Sequence, residues 1–317
     1  MVLSTTSDAN RIGAPELEES GMGSSALVIA ANGRVASRVV AGLAAAGHPP
    51  TALVRNGPKA HELLRDRHGD PTYAKLAVGE LTDAALLDSL MADTEVAFLA
   101  LGSSPTQIGM EKAVIDAAKR TSHAHLVKLS AGYAERSSPV SVLRVHAEIE
   151  DHLASSGVPH TLISPASFME ILFLAAPEIR RAGVWTGAAG DGGNALIDSQ
   201  DVVDSAVEVI LNPAKRGKSY VLTGPEALPW SAVAARLGNI LGRQVEYRTV
   251  SVAERMAQLT ASGLDPWRVE LLIGLDEVNR NSIYAQPTTD FENLMGKRPR
   301  GIDAFLRSNR TLFETAT

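Results

Sequence analysis

The sequence predicts a layered α/β fold: a doubly wound, Rossmann-like parallel sheet with a smaller, mostly helical C-terminal lobe. Three observations carry that prediction. Short apolar runs recur from residue 26 to residue 163, segments with helical spacing separate them, and the turns between them are brief. Strands covered on both faces read as continuous apolar runs. Strand–helix alternation with short turns implies parallel pairing. Right-handed crossovers then place a ligand site at the C-terminal ends of the strands.

Each element has its own warrant. Residues 1–25 are polar and read as a disordered tail. The first strand is the apolar run 26–29, with a turn at Asn32 and Gly33. Val35, Val39, Val40 and Leu43 recur at helical spacing, and Gly47 ends that helix. Strands follow at 51–54, 74–78, 96–101 and 125–129, with helices over 59–67, 83–91 and 110–119 between them. A helix over 143–153 stops near Gly157, and a sixth strand over 160–163 is halted by Pro165. The stretch 182–193 is glycine-rich and irregular. Asp201 is placed to N-cap a helix ending at Leu211. A late strand follows at 219–222, and helices at 231–241 and 252–261. The sheet domain is therefore expected to comprise 26–180 and 199–224. The smaller lobe takes 181–198 and 225–317.

Composition narrows the chemistry. The 317 residues suffice for a sizeable core, and none is cysteine. Disulfides, thiolate nucleophiles and cysteine-bound metals are excluded. Thirty basic residues against 36 acidic ones leave a formal charge of −6, which argues against a basic nucleic-acid surface. No apolar run approaches a membrane span, and no signal peptide is visible. The expected location is cytoplasmic, with no membrane partner. His123 and His125 lack a third ligand at useful spacing, so no metal site is expected. Lys297, Arg298, Arg300, Arg307 and Arg310 are dispersed among apolar residues and read as a solvated helix face.

The first turn bears on cofactor binding. A dinucleotide turn uses glycines for a tight bend, for close approach to pyrophosphate and for helix–strand packing. Here the Gly-x-x-Gly-x-x-Gly pattern becomes Ala30, Gly33 and Ala36. Ala36 is a mild change at the packing position. Ala30 is costly if its φ is positive. The helix start still offers N–H groups to an anion, so Ala30, Asn32, Gly33, Arg34 and Val35 are candidate cofactor contacts. Arg55 follows the second strand and Lys59 comes four residues later. A cation there suits a 2′-phosphate, hence NADP(H).

Several stretches together resemble the NmrA-like family of atypical short-chain dehydrogenases/reductases. They are 52–56 with Pro58-Lys59-Ala60, Gly79-Glu-Leu-Thr-Asp83 and Val127-Lys-Leu-Ser-Ala131. His146-Ala-Glu-Ile-Glu150, Thr161-Leu-Ile-Ser-Pro165 with Phe168-Met-Glu170, and Tyr220-Val-Leu-Thr-Gly224 extend the likeness, as do Gly187–Asp191 and Asp201–Asp204. The resemblance implies a Rossmann-like fold and NADP(H). It also implies either reduction of quinones and related acceptors or regulation without turnover. Ser164 and Ile171 stand where the family often has arginine and asparagine.

None of the five tyrosines has lysine four residues on, so phenolate-driven alcohol oxidation is not expected. Quinone-like or conjugated carbonyl acceptors need less help, because the oxyanion formed is delocalised. Ser130, His146 and Glu150 are the catalytic candidates: Ser130 to orient a carbonyl, His146 as proton donor, and Glu150, on the same helix face, to orient the imidazole. Leu101, Gly102, Ser103, Ser130 and Ala131 are expected along the dinucleotide. Tyr133, Phe168, Met169, Phe173 and Trp185 are expected to wall an aromatic substrate, whereas Trp230, Trp267 and Tyr284 are expected to pack within the smaller lobe. A partner-binding NADP(H) sensor and a cofactor-independent isomerase or cyclase remain the alternatives.

Overall fold

The computed structural model describes residues 25–63, 74–121 and 124–314. The polar segment read as a tail, the end of the helix expected over 59–67, and His123 lie outside the described residues. The chain begins with β1 (Ala26–Ile29), α1 (Arg34–Ala45), β2 (Thr51–Val54), α2 (Gly57–Leu63) and β3 (Lys75–Val78). It continues through α3 (Ala84–Ala92), β4 (Val96–Leu99), α4 (Gln107–Thr121), β5 (His125–Leu129), α5 (Ser141–Ser156) and β6 (His160–Pro165).

After α6 (Ala176–Ala182) and β7 (Val184–Gly187), α7 (Ser199–Leu211) leads to β8 (Ser219–Leu222). The remainder comprises α8 (Trp230–Leu241), β9 (Glu246–Thr249), α9 (Val252–Ala261), α10 (Pro266–Arg280), α11 (Asp290–Met295) and α12 (Ile302–Ser308).

Seven strands form one parallel sheet in the order β3-β2-β1-β4-β5-β6-β8. The order reverses between β1 and β4, and the crevice at that point is where such sheets take ligands. Period-two alternation sends Val28, Phe98 and Val127 to one face, against Val39 of α1 and Val202 of α7. Leu27, Leu99 and Leu126 face the other way, against Met91 of α3, Ile115 of α4 and Ile149 of α5. Both faces are covered, which is why the central strands β1 and β4 are apolar throughout.

A third core builds the lobe. Met169, Leu172 and Ile179 pack there with Trp185, Trp230, Leu237, Tyr247 and Phe305, although residues 169–180 were expected in the sheet unit. The lobe is not purely helical. Strands β7 and β9 pair in parallel inside it. Glycine makes that strand possible: a Cβ on Gly187 would lie 2.6 Å from the Tyr247 hydroxyl. Three other sequence readings also change. Asp198, not Asp201, caps α7, accepting the Gln200 N–H at 2.8 Å. Strand β6 runs through Pro165, whose carbonyl accepts from Gly132. Arg300 does not belong to a solvated face: it pairs with the buried Asp201, whose carboxylate also takes the Arg300 N–H at 2.7 Å.

Candidate functional site

The turn after β1 is tight. Ala30 adopts φ +51, the left-handed region that L side chains avoid, and its carbonyl accepts the Gly33 N–H at 2.8 Å. Gly33 caps α1 with extended backbone (φ −69), places no side chain over the helix end, and is followed by a first turn without acidic residues. A Cβ on Gly33 would come within 3.2 Å of the Ala30 carbonyl. Ala36 is fully buried, as its packing position requires. Across the crevice, a Cβ on Gly102 would meet nothing within 4 Å. Free N–H groups at a helix start, no nearby acid and open space above glycine together fit a pyrophosphate.

A cavity of about 500 Å³ opens at these strand ends. Gly33, Arg34 and Val35 form one wall; Leu101, Gly102 and Ser103 after β4 form the next. Ser130 and Ala131 after β5 continue it, with His146 from α5. Phe168, Ile171 and Phe173 after β6 close the far side, joined by Tyr284. Arg55 and Lys59 lie outside it, exposed after β2.

Beneath Ser130 sits a buried ionic network. Lys128 and Glu111 of α4 are fully buried, with Nζ 3.3 Å from Oε2. Nζ also donates to His146 Nδ1 at 3.1 Å, to the Leu129 carbonyl at 3.1 Å and to Ser130 Oγ at 3.4 Å. Ser130 in turn donates to Glu150 Oε1. Strand alternation explains the set: Leu126, Lys128 and Ser130 share the face that meets α4 and α5. Burial pushes the Lys128 ammonium down and the Glu111 carboxyl up, and each opposes the other's shift. Burial, reinforced by Lys128, holds the His146 imidazole well below its usual range. The ring is therefore neutral. Because an ammonium can only donate, Nδ1 accepts and the proton sits on Nε2. Burial also raises the Glu150 carboxyl, against the Ser130 and Lys128 contacts.

The geometry brings together Gly33, Arg34, Val35, Leu101, Gly102, Ser103, Ser130, Ala131, His146, Phe168 and Phe173. Other expectations are corrected. Glu150 does not touch the imidazole; it holds Ser130, while Lys128 holds the ring. Met169 turns into the lobe core, because the chain after Phe168 reverses in a short 3₁₀ helix, and Trp185 of β7 packs in that core and lines a second cavity rather than the crevice. Tyr133 is 46 % exposed at φ +54 and only stacks on Tyr284, 5.9 Å away; Tyr284 takes the cavity place instead. Ala30 and Asn32 shape the turn without lining the cavity. Ser164 lies buried within β6 rather than facing the crevice. His125 sits at the opposite end of β5, bonded to Thr161 at 2.9 Å. Sequence reasoning missed Lys128 and Glu111. One signal was available: a lysine inside the apolar run 126–129, two residues before Ser130.

A crevice at the strand-order reversal, with an anion-ready turn and a hydrogen-bonding apolar cavity, marks a dinucleotide-binding protein. The sequence profile described as NAD(P)H-binding matches residues 30–213. An NAD(P)H azoreductase from Xenophilus azovorans is 32% identical over 265 residues, covering 84% of this chain and 88% of that protein. Quinone oxidoreductase 2 of Escherichia coli is 30% identical over 225 residues, covering 71% and 77%. A crystal structure of NADPH-dependent quinone oxidoreductase from Escherichia coli, complexed with NADPH, superposes with a TM-score of 0.82 at 26% identity, covering 91% of this chain and all of the other. The chain belongs to the NAD(P)H-binding, NmrA-like family of atypical short-chain dehydrogenases/reductases and is an NAD(P)H-dependent oxidoreductase.

Proposed function

We propose that the chain reduces quinone-like or conjugated carbonyl acceptors with NADPH. The observation that carries this reading is the neutral His146, whose Nδ1 is held by a buried Lys128 in the wall of the crevice. When bound, NADPH supplies a hydride to an electron-poor carbon of the acceptor. His146 Nε2–H donates a hydrogen bond to the acceptor oxygen where negative charge develops; a neutral imidazole suits that task. With a quinone, the hydrogen added to the ring carbon then leaves as a proton on rearomatisation, so the two hydroxyl groups of the hydroquinone form with a net uptake of one proton from solvent. Ser130, held by Glu150, fixes the carboxamide or carbonyl edge beside Ala131. Phe168, Ile171 and Phe173 exclude water from a flat ring. Gly33 and the start of α1 hold the pyrophosphate, and Arg55 with Lys59 holds the 2′-phosphate.

Purified protein mixed with NADPH and a panel of benzoquinones tests this, read as loss of NADPH absorbance. His146→Gln is expected to lower kcat about 10²-fold while leaving the NADPH Kd unchanged. NADPH binding without turnover of any acceptor favours the sensor reading. Arg55→Glu is expected to weaken NADPH roughly 10–100-fold and NADH hardly at all, since a charge-assisted bond is worth ~1.5–3 kcal/mol.

A further inference from the structure

A second cavity of about 510 Å³ lies inside the lobe, and Ile171, Leu174, Leu271 and Leu275 wall both cavities. Leu174 at this shared wall is 66 % exposed, an apolar side chain left facing solvent. The first cavity must hold part of the dinucleotide as well as the reacting ring, so anything longer than one ring system has to extend past that wall. Beyond it stand all three tryptophans of the chain, Trp185, Trp230 and Trp267, with Leu259 and Leu264.

Two cations reach the same space. The Arg255 side chain makes no hydrogen bond among the described residues; its Nε is shielded from solvent, the side chain as a whole is 23 % exposed, and Asp276 lies 3.6 Å away. Arg268 lies over the Trp267 ring at 5.2 Å from its centroid. The acids of this cavity are already engaged. Glu178 accepts the Thr186 N–H at 3.2 Å and its hydroxyl at 2.6 Å, and Asp276 accepts the Ala188 N–H at 3.1 Å. A partly buried guanidinium with open donors beside aromatic walls suits a planar aromatic acid.

We infer that the second cavity is a distal subsite for the far ring of an elongated aromatic acceptor bearing a carboxylate or sulfonate, and that Arg255 recognises this anion. The inference rests on the reductase reading for the fate of that acceptor, but not for its binding.

Calorimetry on the full chain saturated with NADP⁺ tests it, with naphthalene-2-sulfonate and naphthalene-2-sulfonamide as probes. The sulfonate is expected to bind at least tenfold more tightly and to shift tryptophan emission. Arg255→Met is expected to erase that difference and leave the sulfonamide Kd within twofold. Arg255→Lys, which keeps the charge and the fold, is expected to retain part of the preference, and Arg268→Gln to reduce it about threefold. Equal affinity for both probes in the native chain, or an undiminished preference in folded Arg255→Met, overturns the subsite. In kinetics, Arg255→Met is expected to raise KM about tenfold for a carboxylated two-ring azo acceptor, and not for a one-ring benzoquinone. Turnover of quinones without anion preference refutes the subsite alone. Arg255-dependent sulfonate binding without any turnover refutes the reductase reading alone.

Discussion

Ala30 holds a left-handed backbone at a place where the dinucleotide turn normally uses glycine. The added methyl costs roughly 1 kcal/mol at such a φ. Ala30→Gly is therefore expected to raise stability by about 0.5–1 kcal/mol in denaturant titration and to leave NADPH affinity equal or tighter. Lys128 and Glu111 make a different case. Lys128→Met strands a carboxylate in the core and is expected to cost about 3–5 kcal/mol, with Lys128→Met/Glu111→Gln recovering most of it in a double-mutant cycle. Two histidines contribute to the acid limb of stability. Burial holds His146 well below its usual value, and burial with Arg216 lowers His125 to about 4. Between the unfolded value near 6.5 and those depressed folded values, only the unfolded chain takes up these protons. Their contribution is thus complete above about pH 6.5 and is lost as pH falls toward 4. Urea midpoints measured across that range should decline, and less steeply in His125→Gln.

At the scale of elements, the site is a pairing of one strand with two helices. The Leu126, Lys128, Ser130 face of β5 meets Glu111 from α4 and both His146 and Glu150 from α5. The i, i+4 spacing of His146 and Glu150 was legible as one helix face. Their partners were not, because partner choice depends on how α5 is set against β5. Helix α7 shows a similar limit. Asp201 reads as a cap in one dimension, yet it lies within the first turn of the helix, where Arg300 from the far end of the chain reaches it. Arg300→Ala removes the guanidinium partner of the buried Asp201 and leaves its carboxylate with the backbone N–H of residue 300. It is expected to cost about 2–3 kcal/mol, toward the low side because the arginine is partly exposed, with thermal unfolding as the measurement.

For the whole molecule, the crevice is built jointly by the sheet and the lobe: Gly33 and Ser130 come from strand ends, while Leu271 and Tyr284 come from the C-terminal third. A ligand bound there ties the two parts together. NADPH at 100 times its Kd is expected to stabilise the chain by about 2.7 kcal/mol, a rise of roughly 5 °C in Tm. Most of the sheet was readable because parallel strands covered on both faces must be continuously apolar, as 26–29 and 96–99 are. The lobe was less readable. Its strand at 184–187 hides in a glycine-rich stretch, and its pairing with 246–249 spans some sixty residues.

The order of apolar runs and turns and the spacing around Ala30 and Gly33 determined the fold class, the crevice and the nicotinamide dinucleotide as cofactor, because these are local properties of the chain. Only the tertiary structure decided the sign of φ at Ala30, the burial of Lys128 with Glu111 and the exchange of partners between His146 and Glu150. It also decided that Met169 turns away, that Trp185 lines the second cavity and that Tyr284 turns into the crevice. Each of these depends on which distant segment covers a side chain, and desolvation by that cover, rather than residue type, sets charge and contact.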